Sequence, residues 1–138
     1  MNVLQGNLHR SRVAHNLLSQ LVLELKIDLL LLSEQYRDRQ GSRWYEDTLG
    51  TAAIWVPNTN ILIKGHGAGR GYVWVECSQV TFVSCYFTPN SSAAEFQDNL
   101  NHMEDTLRTL GKVIIVGGDF NARSPSTNGE CSPQTAEA

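Results

Sequence analysis

Asp119 and Asn121 stand two residues apart at the end of an apolar run, Val113–Gly118 (VIIVGG). In an extended chain side chains alternate, so the acid and the amide fall on one side and Phe120 on the other. Other apolar runs also end in polar side chains. Glu34 closes IDLLLLSE, Asn7 follows NVLQG, and Tyr86 lies near the end of VTFVSCYF. Carboxylates and amide carbonyls are hard oxygen donors and suit Mg²⁺ or Mn²⁺ better than zinc. Such an ion polarises a phosphoryl oxygen and stabilises a leaving oxygen, while a phenol and an amide can hold the phosphate. Together these residues point to metal-assisted hydrolysis of a phosphate ester. Singly, each has a plainer reading: Glu34 as a surface residue, Asp119-Phe120-Asn121 as a turn, Tyr86 as a packing residue. Joint placement at several strand ends favours the chemical reading.

The elements that would carry these residues are legible as hydrophobic patterns. Residues 2–6 read as a strand. Residues 11–26 read as an amphipathic helix with Ser11 as a possible N-cap and Val13, Leu17, Leu18, Leu21 and Leu25 at helical spacing. The continuous apolar run over 27–34 fits a strand covered on both faces, and the order strand, helix, strand is that of a parallel crossover. Residues 35–50 read as a loop. TAAIWV (51–56) and NILIK (60–64) read as strands joined by the turn Pro57-Asn58-Thr59. GHGAGRG (65–71) lacks the spacing and lysine of a phosphate loop and reads as a flexible connection. YVWVEC (72–77) and VTFVSCYF (80–87) make a hairpin around Ser78-Gln79. A second helix spans 92–110, capped by Ser91 or Ser92. It buries Phe96, Leu100, Met103, Leu107 and Leu110 and stops at Gly111. KVIIVGGDF is the last strand. From Arg123 on, Ser, Pro, Thr and Gly dominate, and 126–138 is expected to be a loop or disordered tail. Gly117 and Gly118 leave room for a close neighbour, either another backbone or a substrate.

Composition limits the classes. The chain has 138 residues, 41% apolar and 18% charged, which supports one folded domain with a sizeable core. No apolar run is long enough to span a bilayer, and no basic-then-apolar leader opens the chain. No membrane partner is expected. Cys77, Cys85 and Cys131 form neither a disulfide framework nor a metal spacing, which fits reduced thiols inside a cell. His9, His15, His66 and His102 are scattered. The net charge of −3 lacks the basic excess usual in nucleic-acid binders. Arg37, Arg39 and Arg43, and Arg10 with Arg12, are local cationic groups whose plain reading is a solvated face.

GGDFNA, SCYFTPNSS, LLLLSEQY and VLQGNLHRS, in their order along the chain, resemble the endonuclease/exonuclease/phosphatase superfamily. The nearest likeness is to the apurinic-like endonuclease domains of non-LTR retrotransposons, over roughly residues 2–125. The resemblance implies an α/β fold, part of a four-layer sandwich with two β-sheets flanked by helices and its C-terminal part missing. It also implies roles. Glu34 would bind Mg²⁺ (or Mn²⁺), with Asn7 supporting the metal site. Tyr86 would contact the scissile phosphate and Asn90 the substrate backbone. Asp119 would orient or activate water, and Asn121 would stabilise the phosphate in the transition state. The substrate implied is DNA, nicked by a domain of a polyprotein that carries a reverse transcriptase, acting in the nucleus. His9 replaces an Asp or Asn of relatives and is expected at the rim. SPSTNGE lacks the Trp-Gly that usually follows the Asp-Phe-Asn motif. The closing Ser-Asp-His motif of relatives has no counterpart. The expectations are therefore weak nicking or none by this chain alone, an exposed sheet edge and an uncovered apolar face. Alternatives of other kinds are a non-catalytic remnant of the fold and a small-molecule phosphatase.

Overall fold

The computed structural model describes residues 1–36, 42–87, 92–110 and 113–119. Asn90, Asn121, Gly111 and the segment 126–138 lie outside these residues. The chain runs β1 (Val3–Asn7), α1 (Arg12–Asn16), α2 (Leu18–Leu25), β2 (Leu29–Ser33), β3 (Trp44–Glu46), β4 (Ala52–Trp55), β5 (Gly65–Gly69), β6 (Tyr72–Glu76), β7 (Val80–Tyr86), α3 (Ala93–Arg108) and β8 (Val113–Asp119). Two four-stranded sheets result, ordered β1-β2-β4-β3 and β5-β6-β7-β8. Each contains one parallel pair joined through helix, β1 with β2 and β7 with β8; the other pairings are antiparallel.

The unbroken run of leucines in β2 follows from its two neighbours. Leu29 and Leu31 pack between the sheets with Ile54, Val73, Val75 and Phe82. Leu30 and Leu32 face the other way, into a cluster with Leu8, Leu18, Ile27 and Ala53. A strand buried on both faces needs no polar alternation. On the outer face of the second sheet, Tyr72, Val83 and Cys85 pack with Met103 and Leu107, and Phe96, Leu100 and Leu110 add partly buried contacts. The layers are helix, sheet, sheet and helix, the sandwich that the resemblance implied. Among the described residues, α3 covers the outer face of the second sheet. Among the described residues β8 is one edge of the second sheet, and its Val113 is exposed.

Four local expectations are corrected. The first helix breaks at Leu17, and its buried line is Ala14, Leu18 and Val22 rather than the apolar spacing read above. Val13, Leu17 and Leu25 are exposed. Leu8, Ile27, Trp44 and Trp55 share the covering of that sheet face, so the helix supplies only a narrow strip. Ser11 does cap it, accepting from Ala14 N at 3.1 Å. Residues 35–50 are not all loop, because Trp44–Glu46 pairs with β4. Residues 60–64 form no strand: Asn58 closes the turn through Asn60 N (2.9 Å) and Ile61 N (3.2 Å), and Arg43 donates to the carbonyls of Val56 and Asn58 at 3.1 and 3.2 Å. The glycine-rich stretch is strand β5, not a flexible connection. A Cβ at Gly67 would lie 2.6 Å from the Trp74 ring, and one at Gly69 would lie 2.3 Å from the Tyr72 ring. The rings of the paired strand occupy the space that side chains would fill.

The second helix keeps its expected stripe. Ser92 caps it by accepting from Glu95 N at 3.1 Å, and it ends at Arg108, two residues earlier than the pattern placed it. Cys77 and Cys85 are both buried.

Candidate active site

The carboxyl ends of the two parallel pairs meet at one end of the sandwich. In the first sheet Asn7 is in register with Ser33, and Glu34 follows. In the second, Tyr86 is in register with Asp119. Polar contacts then join the sheets. Ser84 Oγ donates to Leu32 O at 2.7 Å, and Gln5 Nε2 to Gly118 O at 3.5 Å. Asn7 Nδ2 donates to Asp119 Oδ2 at 3.5 Å. The close approach needs both glycines of VIIVGG. A Cβ at Gly117 would sit 2.8 Å from Leu31 Cδ1, and one at Gly118 (φ +147°) would sit 2.1 Å from Cys85 O. The neighbour that these glycines admit is protein.

Glu34 leaves β2 with φ 50°, a left-handed conformation uncommon for Glu. Its backbone is held on both sides: Glu34 N donates to Thr51 O at 2.8 Å, and Glu34 O accepts from Arg10 N at 2.7 Å. His9 and Arg10 are left-handed as well, so the segment after β1 folds over this strand end. Asn7 Oδ1 accepts from His9 N at 2.7 Å, and His9 Nδ1 lies 3.9 Å from Glu34 Oε2. The His9 side chain is 80% exposed, as a rim residue should be.

Tyr86 connects the two acids. Burial raises its pKa above the usual phenol value, and the negative charges of Glu34 and then Asp119 raise it further. A hydrogen bond donated to Glu34 adds to the effect, and Arg10 opposes it. Asp119 is 7% exposed, and its carbonyl accepts from Phe87 N at 2.9 Å. Beneath it, burial and the nearby Asp119 charge push the Cys85 thiol up to about 12, which keeps that cysteine protonated and unreactive.

The structure thus brings together Asn7, Glu34, Tyr86 and Asp119, while Asn90 and Asn121 lie outside the described residues. Among the described residues no three His, Cys, Asp or Glu side chains form a metal cage. The oxygen donors of Glu34 and Asn7 are of the kind that suits a hard ion such as Mg²⁺, which keeps most of its water and takes only one or two carboxylates from protein. The sequence reading missed Arg10 as a neighbour of Tyr86, and it missed Gln35 and Asp47, both buried just behind this end. No local pattern marks Arg10 or Gln35. Asp47, ahead of Thr48-Leu49-Gly50, carries a turn signal that was absorbed into a loop. A cavity of about 710 Å³ lined by Arg43, Tyr45, Lys64 and His66 opens at the far edges of the two sheets and shares no residue with this cluster.

Comparison with known proteins agrees with the geometry. Residues 80–137 match the family described as endonuclease-reverse transcriptase. The endonuclease domain of TRAS1, a telomere-specific non-LTR retrotransposon, superposes with a TM-score of 0.76 at 30% identity, covering 88% of this chain and 59% of that one. The chain therefore spans less than two thirds of that domain. Humanized D. rerio TDP2 (TM-score 0.58, 11% identity, 88% of this chain and 63% of that one) shares the fold. So does TDP2 from Caenorhabditis elegans (0.53, 18%, 76% and 40%). No curated protein gives a significant match. Among the described residues no helix is long and apolar enough to cross a membrane.

Proposed function

We propose, for a chain whose residues 80–137 match the family described as endonuclease-reverse transcriptase and which shares its fold with a retrotransposon endonuclease domain, that the strand-end cluster hydrolyses a phosphodiester bond of DNA. The observation that carries this reading is the convergence across two sheets: Asn7 reaches Asp119, and the Tyr86 phenol faces both Glu34 and Asp119. Glu34 and Asn7 are the residues assigned to Mg²⁺, with Mn²⁺ as a substitute. When bound, the ion supplies a positive charge that polarises the phosphoryl group and stabilises the leaving oxygen. Tyr86, protonated at neutral pH, turns its hydroxyl from Glu34 to donate to a phosphate oxygen. Asp119, poor in solvent and held by Asn7, orients the attacking water. Asn121, two positions after Asp119 in the sequence, is assigned to the phosphate, and Asn90 to the substrate backbone. In this reading the domain nicks DNA in the nucleus, within a polyprotein that also carries a reverse transcriptase.

Supercoiled plasmid with Mg²⁺ tests the proposal. The expected outcome is slow conversion to open circles, lost on adding a chelator and lost in Asp119→Asn or Asn121→Ala. Metal binding without nicking would make the chain a non-catalytic remnant. Turnover of a small phosphate ester with no effect on plasmid would make it a phosphatase.

A further inference from the structure

Asp47 is 6% exposed, and among the described residues no Lys, Arg or His pairs with it. Its charge is met by four donors instead. Oδ1 accepts from Thr51 N at 2.6 Å and Ala52 N at 3.0 Å. Oδ2 accepts from Thr51 Oγ1 at 2.8 Å and Gly71 N at 2.9 Å. A buried carboxylate is costly unless its lone pairs are filled in this way. The donors come from different sheets: Thr51 and Ala52 enter β4 of the first, and Gly71 lies in the turn between β5 and β6 of the second.

Two of the donor residues, Thr51 and Gly71, lead directly to a residue of the cluster. Thr51 O accepts from Glu34 N at 2.8 Å, and Gly71 O accepts from Tyr86 N at 2.7 Å. One carboxylate is thus a single residue away from the backbone of both Glu34 and Tyr86. Gly71, at φ +84°, has no space for a side chain, since a Cβ would come within 2.8 Å of Tyr86 O. The neighbouring residues reinforce the arrangement. Gln35, which follows Glu34 and is fully buried, donates to Glu46 Oε2 at 2.7 Å and to Ala52 O at 3.2 Å.

We infer that Asp47 is a positioning residue that sets Glu34 and Tyr86 at their working separation, by clasping the first sheet through Thr51 and the second through Gly71. The inference rests on the phosphodiesterase reading of the cluster. Asp47 touches no reacting atom and acts through these two peptides.

Asp47→Asn cuts one arm selectively. The amide oxygen can stay on Thr51 N and Ala52 N, where only donors face it. The new NH₂ then takes the place of Oδ2. The Thr51 hydroxyl can rotate to accept from it, but the Gly71 N–H cannot. In the purified chain, the expected result is an amide hydrogen-exchange rate raised at least about tenfold at Gly71 and Tyr86, with Thr51, Ala52 and Glu34 unchanged. Plasmid nicking should fall about tenfold to a hundredfold in kcat, with KM moving less than about twofold. Unchanged exchange at Gly71 and Tyr86, or uniform acceleration everywhere, would overturn the inference. If the variant does not fold, the wild-type chain in mild denaturant decides. The amides of Glu34, Thr51, Gly71 and Tyr86 should then open as one local unit below global unfolding, and separate opening of the two arms refutes the clasp. If the wild-type chain nicks nothing, the functional reading fails while the exchange result still judges Asp47.

Discussion

The Tyr86 phenol reports the charges around it. Its pKa is raised by burial and by Glu34 and Asp119, with Glu34 contributing both charge and a hydrogen bond. Glu34→Gln should therefore lower the Tyr86 titration more than Asp119→Asn does, as read by ultraviolet difference titration against Tyr86→Phe. The opposite order would mean that the phenol leans on Asp119. The Cys85 thiol makes a second prediction. It holds its proton to about 12 when folded, well above the ordinary thiol value of 9.0. A group whose pKa rises on folding stabilises the fold fully below its unfolded pKa, and that contribution is lost as pH climbs from about 9 towards 12. The loss is up to roughly 1.4 kcal/mol per pH unit. Denaturant melts at pH 8 and pH 10.5 should show the drop in the native chain and a smaller one in Cys85→Ala. Which residues end strands could be read from sequence, because apolar runs that stop at Asn7, Glu34, Tyr86 and Asp119 are one-dimensional facts. That Arg10 and Asp47 reach the same end could not, because their approach depends on left-handed turns and on partners 24 residues away, as from Asp47 to Gly71.

Among the elements, glycines separate what a pattern can reveal from what it cannot. VIIVGG reads as a strand because four β-formers precede its glycines. GHGAG offers no hydrophobic signal, and its strand character comes from Trp74 and Tyr72 on the strand beside it. Likewise, the first helix has more apolar residues than its sheet face can take, so spacing alone chose the wrong line. Two glycine variants test the packing account. Gly118→Ala places a methyl 2.1 Å from Cys85 O at φ +147° and should cost at least about 3 kcal/mol or prevent folding. Gly50→Ala, at φ +71° with nothing within 4 Å, should cost only about 1–2 kcal/mol. Equal losses in thermal melts would show that conformation, and not the approach of β7 to β8, governs these positions.

At the scale of the molecule, each sheet is complementary to the other only where both lie face to face. Leu29, Leu31 and Ile54 of one interlock with Val73, Val75 and Phe82 of the other, and Ser84, fully buried, ties them by its hydroxyl to Leu32 O. Ser84→Ala should lower stability by about 1–2 kcal/mol, or roughly 3–6 °C in Tm, without altering far-ultraviolet dichroism. A larger loss with altered dichroism would mean that the serine supports its own strand. The layered architecture was recoverable from β2 alone, whose leucines require cover on both sides, but the pairing of sheet with sheet was not, since nothing in a sequence says which two apolar faces will meet. That pairing has a consequence for how the chain could fail. On the proposed reading neither half owns a complete set of working groups, because Asn7 and Glu34 belong to one slab and Tyr86 and Asp119 to the other. Slight parting along the seam would disarm the protein while both slabs stayed intact, so heat should silence it before it melts.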